Sequence, residues 1–334
     1  MIRVAINGFG RIGRLVLRAG INDKKIKFVA INDLTDPGTL AHLLRCDSVH
    51  RTFPGTIEAK KDSIIVNGQE IKVAAEKDPR RLPWKKLKAD IALECTGLFR
   101  KKEELEMHQK AGAQKVLLSA PEKGDKPVKN IVMGVNDKTY DGEELVSNAS
   151  CTTNCFAPMV KVIHDYHKIF DGVMTTIHSY TNDQNILDGP HKDLRRARAA
   201  ALNIIPTSTG ASKAIAAVIP ELAGKIIGSA IRVPTPDGSL CQFICSLDIS
   251  KKLCITEEVN ELFKKMSKTK MKGIIEYSKE ALVSTDVIGN PHSCVFDSQL
   301  TRCIKNSLFV TGWYDNEWGY SNRMIDVAKL MMKR

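Results

Sequence analysis

Asn7-Gly8-Phe9-Gly10-Arg11-Ile12-Gly13-Arg14 follows the short run Ile2-Arg3-Val4-Ala5-Ile6 and leads into Leu15-Val16-Leu17. The order is strand, glycine turn, helix. Gly-x-Gly-x-x-Gly alone is a weak signal. Here a second apolar run, Phe28-Val29-Ala30-Ile31, ends at Asn32-Asp33, twenty residues beyond Gly13. Gly8, Gly10 and Gly13 permit a tight turn, close approach of a pyrophosphate and close helix–strand packing. The helix start then faces the phosphates. Asp33 is placed to accept hydrogen bonds from an adenosine ribose, and its carboxylate repels a 2′-phosphate, so NAD is expected over NADP.

Outward from this unit the same grammar repeats. Ile64-Ile65-Val66 and Ile71-Lys72-Val73 flank Asn67-Gly68 as a hairpin. Ile91-Ala92-Leu93 runs into Cys95-Thr96-Gly97, then a charged helix from Lys101 to Lys110; Val116-Leu117-Leu118 runs into Ser119, and Ile131 to Val135 reads as a further strand. Such alternation describes a Rossmann-type, doubly wound, mainly parallel sheet, with Thr96 and Ser119 at strand ends lining the dinucleotide crevice. After residue 150 the texture changes to longer alternating runs, such as Leu240 to Cys245 and Ser307 to Val310. These suit an α+β domain with a mainly antiparallel sheet. The expected organisation is a dinucleotide-binding domain over 1–150, completed by the C-terminal helix at about 317–334, and a second domain over 151–316.

With 334 residues, 43% hydrophobic and 26% charged, the chain is long enough for two globular domains. No apolar run reaches membrane-span length. Met1 runs straight into the first strand, so no leader is expected and a cytoplasmic location follows. The cysteines other than Cys151 and Cys155 sit mostly among apolar neighbours, as reduced core thiols do. No CxxC pair or nearby Cys/His cluster suggests zinc, so no metal is expected. The formal charge of +12 favours anionic partners, either nucleic acid or phosphorylated substrates. The lysines are scattered and no aromatic-rich RNA motif accompanies them.

Ser150-Cys151-Thr152-Thr153-Asn154-Cys155 places a thiol at a helix start, ahead of the apolar pattern Phe156, Met159, Val160, Ile163. The helix dipole favours a thiolate there, and neighbouring N–H groups suit an oxyanion. His178 ends an apolar strand 27 residues later. Together they fit a thiolate–imidazole pair in which each ion stabilises the other.

Ala149 to Cys155 resembles the active-site signature of phosphorylating glyceraldehyde-3-phosphate dehydrogenases. The resemblance extends along the chain through Asn7 to Arg14, His178-Ser179-Tyr180-Thr181, Pro206 to Gly210, Arg232-Val233-Pro234-Thr235 and Trp313 to Tyr320. It implies that Cys151 attacks the aldehyde, that His178 activates the thiol and takes the hydroxyl proton as hydride leaves, and that inorganic phosphate cleaves the resulting thioester. It further implies that Thr181 and Arg232 hold the substrate phosphate, while Ser150, Thr152, Thr209 and Gly210 hold the inorganic one. An arginine from Arg195 to Arg198 completes the pocket, Arg198 before Arg196. Asn316 and Tyr320 meet the nicotinamide, and Arg11 and Ile12 the pyrophosphate. The polar segment from Ser179 to about Arg198 resembles an S-shaped interface loop, implying a homotetramer. Lys77 stands where many relatives have arginine near the adenine, and Gly189 where bacterial relatives often have leucine. Erythrose-4-phosphate dehydrogenase shares the thiol–imidazole chemistry, but its relatives tend to lack the threonine at Thr181 and the run Thr207 to Gly210. RNA binding is at most a secondary role.

Overall fold

The computed structural model describes residues 1–248, 250 and 254–333. Its opening strand is buried on both faces, with Val4, Ala5 and Ile6 inaccessible to water, as a central parallel strand requires. Two compact units divide the chain. Met1–Ile131, Asp137–Ser150 and Ser321–Arg334 make the first; Val132–Asn136 and Cys151–Tyr320 make the second.

In the first unit the strands are β1 (Ile2–Asn7), β2 (Ile26–Asn32), β3 (Ile57–Ala59), β4 (Ser63–Val66), β5 (Gln69–Ala74), β6 (Ile91–Glu94), β7 (Lys115–Leu118), β8 (Lys129–Asn130) and β9 (Leu145–Ser147). Among the described residues they form one sheet, ordered β3-β4-β5-β2-β1-β6-β7-β9-β8. All neighbours pair in parallel except β3 with β4 and β4 with β5. The hairpin at Asn67-Gly68 has positive φ at both residues, 50° and 78°, the geometry two-residue turns favour. Strand order reverses at β1, with β2 on one side and β6 on the other, so the binding crevice lies beyond the carboxyl ends of β1 and β6.

Helices α1 (Arg11–Gly20), α2 (Pro37–Arg45) and α3 (Lys102–Lys110) complete the winding. The chain's last helix returns to this unit: a Cβ at Gly20 would stand 2.7 Å from the Ile325 side chain, and Lys329 pairs with Asp23 at 3.0 Å. Of Ile131 to Val135, expected as a strand, only Ile131 keeps sheet pairing, its N–H donating to the Ser147 carbonyl at 2.9 Å, and residues 133–136 form a turn. Val132 N–H donates to Asn136 Oδ1 at 2.8 Å and Val135 N–H to Val132 C=O at 3.1 Å, local bonds that replace sheet pairing.

The second unit opens with α4 (Cys151–Tyr166), followed by β10 (Ile169–Ser179), β11 (Ile205–Thr207), α5 (Ala211–Val218), β12 (Ile226–Val233), β13 (Ser239–Leu247), α6 (Thr256–Lys268), β14 (Ile275–Ser278), β15 (Cys294–Asp297), β16 (Arg302–Ile304), β17 (Ser307–Tyr314) and the start of α7 (Trp318–Met331). The sheet runs β11-β12-β10-β13-β17-β15-β14, with β16 against β17. It is mainly antiparallel, but β10 pairs with β12 and β14 with β15 in parallel. Alternation decides what faces inward: Met174, Thr176 and His178 of β10 are buried beside Cys241, Phe243 and Cys245 of β13. The buried helix α4 lies on this face, Phe156 edge-on to Phe243 at 5.0 Å. That packing brings a strand-end histidine to a helix start.

Two cysteine expectations change. Cys254 and Cys303 are joined as a disulfide, with Cα atoms 5.8 Å apart across a sequence separation of 49. Cys46, after α2, is exposed. Apolar neighbours in sequence do not report which side chains the fold brings together. Among the described residues no helix is long and apolar enough to cross a membrane.

Candidate active site

Gly8 has φ +89°, and a Cβ there would lie 2.6 Å from the backbone nitrogen of Thr96. At Gly13 a Cβ would stand 2.1 Å from the Gly8 carbonyl oxygen, so β1 and α1 approach too closely for any side chain. Gly10 faces open space and gives α1 no side-chain cap. The turn is therefore a backbone cradle opening on a helix N-terminus, which fits a pyrophosphate. Asp33, at the end of β2, accepts from Phe9 N–H at 2.8 Å and Thr35 N–H at 3.1 Å, so it braces the same turn. Thr96 and Ser119 follow β6 and β7 at the same edge, and Lys77 is exposed after β5. Arg11 turns its side chain to Asp47 at 2.6 Å. Burial alone would raise that carboxyl, but the Arg11 bond and the N–H groups of His50 and Val49 hold it down to about 2.

Cys151 is the first residue of α4. Two residues earlier, Ala149 holds a left-handed φ of 53°, a conformation that costs a residue with a Cβ roughly 1 kcal/mol and re-aims the chain into the helix. Cys151 Sγ lies 3.5 Å from His178 Nε2. On the other side of the ring, Nδ1 is 2.7 Å from the Ser179 carbonyl and 2.9 Å from an Arg232 nitrogen. With the proton on Nδ1 and donated to Ser179, the Nε2 lone pair faces the thiol. The same arginine nitrogen reaches Ser179 O at 2.8 Å and Thr181 Oγ1 at 3.4 Å.

The pair expected from the helix start is in contact, and burial works against its charged form. Burial pushes the thiol up to about 11, opposed by the Arg232 charge and the Thr152 hydrogen bonds. Burial, then Arg232, holds the imidazole down to about 3. Desolvation penalises both ions and so opposes the pull of the helix dipole on the thiol.

Thr152 Oγ1 meets the Tyr314 hydroxyl at 3.0 Å, which meets Thr176 Oγ1 at 2.9 Å. Of the two candidate arginines the structure brings Arg196 to the site. It bonds Thr207 Oγ1 at 2.9 Å and Ser208 O at 3.3 Å, pairs with Asp183, and its charge acts on His178 and Arg232. Arg198 points to exposed Asp188 at 2.8 Å. Thr209 and Gly210 lead into α5, beside the segment that Arg196 holds. Ser150 immediately precedes α4. Asn316 Oδ1 accepts from Ser239 Oγ at 2.6 Å, and Ser239 Oγ accepts from Ser179 N–H at 3.0 Å. Tyr320 is buried on the first turn of α7.

The profile described as glyceraldehyde 3-phosphate dehydrogenase, NAD binding domain, matches residues 2–102, and that of the C-terminal domain of the same enzyme matches residues 150–316. Glyceraldehyde-3-phosphate dehydrogenase 1 of Bacillus cereus is 52% identical over 337 residues, covering 100% of this chain and 99% of the relative. This chain belongs to the glyceraldehyde-3-phosphate dehydrogenase family. The Bacillus subtilis (strain 168) glyceraldehyde-3-phosphate dehydrogenase 1 is 50% identical, covering 100% and 99%, and the Geobacillus stearothermophilus enzyme 51%, covering 98% and 97%.

The matched parts of this chain take in the glycine turn, Asp33 and Thr96, then Ser150 through Asn316; Ser119 and Tyr320 fall outside both. Its cofactor is NAD. Three residues of the site are not singled out by the sequence: Tyr314, Ser239 and Ala149. Tyr314 stands two residues before Asn316 in a quoted motif, which was a signal. Ala149 also opens a quoted motif, although nothing local marks its left-handed φ, and nothing local marks Ser239, whose partner lies 77 residues away.

Proposed function

We propose that this chain oxidises D-glyceraldehyde 3-phosphate with NAD and joins the acyl product to inorganic phosphate, giving 1,3-bisphosphoglycerate reversibly. The observation that carries the reading is Cys151 Sγ 3.5 Å from His178 Nε2, with Arg232 on the far side of the ring.

The contact between Cys151 Sγ and His178 Nε2 suits the first step. Sulfur attacks the aldehyde carbon while its proton passes through Nε2 to the carbonyl oxygen, giving a thiohemiacetal and returning His178 to its neutral form. His178 Nε2 then takes the hydroxyl proton as hydride leaves the same carbon, so the carbonyl re-forms as a thioester. Bound NAD supplies the hydride acceptor. Phosphate oxygen attacks the thioester and the Cys151 thiolate leaves, to be reprotonated. Arg232 and Thr181 are suited to the substrate phosphate. Arg196, Thr209, Gly210, Ser150 and Thr152 are suited to the attacking one, arginine forks and hydroxyls matching phosphate oxygens. Gly8, Gly10, Arg11, Ile12, Gly13, Asp33, Lys77, Thr96 and Ser119 hold the dinucleotide, and Asn316 and Tyr320 its nicotinamide. Ser239 occupies Asn316 Oδ1, which leaves the Nδ2 donor for a carboxamide oxygen.

We also read the chain as a cytoplasmic homotetramer with domains at 1–150 plus 317–334 and at 151–316. Val173, Ile227 and Ile244 support the assembly: exposed, they lie side by side in register across three strands, an apolar row suited to a second copy. Sedimentation reading a monomer would remove that part of the proposal.

The deciding experiment is NADH formation from glyceraldehyde 3-phosphate and NAD, with and without inorganic phosphate, beside erythrose 4-phosphate. Phosphate-dependent turnover favouring the triose is expected. Phosphate-independent turnover favouring the tetrose would assign the chain to the erythrose-4-phosphate reaction instead.

A further inference from the structure

A carboxylate with no exposure lies beneath the glycine turn. Glu94, the last residue of β6, is 0% accessible. Its Oε1 accepts from Thr96 N–H at 2.8 Å and from the Thr96 hydroxyl. Its Oε2 accepts from Asn7 Nδ2 at 2.6 Å and faces His108 Nε2 of α3 at 3.0 Å. Behind His108, Trp84 Nε1–H donates to Nδ1 at 3.1 Å. An indole nitrogen is only a donor, so His108 Nδ1 must accept, and the neutral ring carries its proton on Nε2, aimed at Glu94. Every polar neighbour of the carboxylate is thus a donor.

The bonds run outward to the cradle. Asn7 Oδ1 accepts from Asn32 Nδ2 at 2.7 Å, and the Asn32 carbonyl accepts from Gly8 N–H at 2.8 Å. Asn32 directly precedes Asp33. Thr96, held by Oε1, supplies the backbone nitrogen that leaves no room for a side chain at Gly8. The ends of β1, β2 and β6 therefore meet at one buried carboxylate.

We propose that Glu94 is the positioning residue of the dinucleotide site, its carboxylate setting Thr96, the Gly8 turn and Asp33 for NAD, with His108 and Trp84 fixing its own orientation. The proposal rests on the glycine turn holding NAD. A preformed backbone cradle avoids an ordering cost on binding, so a loosened one weakens affinity without touching the thiol chemistry.

The test is Glu94→Gln. An amide turns its NH2 either toward Thr96 N–H or toward Asn7 and His108, donor against donor in both cases. NAD dissociation constants from calorimetry are expected to rise about tenfold, with KM for NAD following. The kcat and the KM for triose phosphate should stay within about twofold, and so should the rate of Cys151 alkylation by iodoacetamide without NAD, which reports an intact second unit. A folded variant with wild-type NAD affinity and only a lower melting temperature would overturn the proposal. Should Glu94→Gln not fold, Glu94→Asp carries the test: one methylene shorter, its carboxylate cannot reach Thr96 and the Asn7 and His108 donors together, and an unchanged NAD affinity overturns the proposal equally. A wild-type protein that does not bind NAD would overturn the functional reading instead.

Discussion

Arg232 stands 2.9 Å from His178 Nδ1, opposite the face that meets Cys151, and so sets a fixed positive charge against protonation of the catalytic base. Burial and this charge together hold the imidazole down to about 3. The ring is therefore held unprotonated at neutral pH, and under the proposed reaction a substrate phosphate on Arg232 would offset the charge as the proton is taken.

Removing the guanidinium should raise the imidazole's pKa. In Arg232→Met the acid limb of kcat/KM is expected at higher pH than in the wild type, alongside a raised KM for triose phosphate; an unmoved limb would sink this account. The folding linkage has a definite sign. The unfolded ring takes a proton near 6.5 and the folded ring only near 3. Stability tied to this ring is therefore intact above the unfolded value and drains as pH falls toward the folded one, by at most about 1.4 kcal/mol per pH unit. Urea unfolding of wild type and His178→Asn across that window checks it: wild-type stability relative to the variant should rise with pH through the window and level off above about 6.5.

Arg196 and Arg198 separate by their partners. Arg196 is mostly buried and bonded to Thr207 and Ser208, whereas Arg198 meets exposed Asp188. Arg196→Gln is expected to raise the KM for inorganic phosphate or triose phosphate by roughly tenfold to a hundredfold, the loss of a charge-assisted bond. Arg198→Gln should stay within about threefold. The reverse ranking in steady-state kinetics would exchange their roles.

Ser239 links the two halves of the chemistry, since its hydroxyl accepts from Ser179 N–H and donates to Asn316 Oδ1. Ser239→Ala leaves both groups unpaired in a buried site, at a cost of about 1–3 kcal/mol. A lower melting temperature and a several-fold higher KM for NAD, with the phosphate KM unchanged, are expected. Normal NAD kinetics would mean that Asn316 keeps its orientation without the serine.

Asp33→Gly is expected to relax discrimination against NADP, measured as the ratio of kcat/KM for the two cofactors. Because Asp33 also accepts from Phe9 and Thr35, NAD affinity itself should fall. An unchanged ratio would show that other contacts set the preference.

The parallel sheet, the glycine turn and the pairing of Cys151 with a helix start were legible because each is written in adjacent residues: β-branched runs, glycines at fixed offsets, an N-terminal hydroxyl cluster. Local hydrogen bonds reversed the reading of Val132 to Val135 for the same local reason, as the Asn136 side chain offers Val132 a partner that hydropathy does not register.

What remained was decided by packing. No pattern along the chain indicates that burial at the β10–α4 contact pushes the thiol up and the imidazole down, that Arg196 rather than Arg198 turns inward, or that Cys254 meets Cys303. Sequence fixes periodicity and local conformation. Desolvation, side-chain direction and contacts between distant segments depend on which atoms surround a group, and those neighbours exist only once the sheets have closed over their helices.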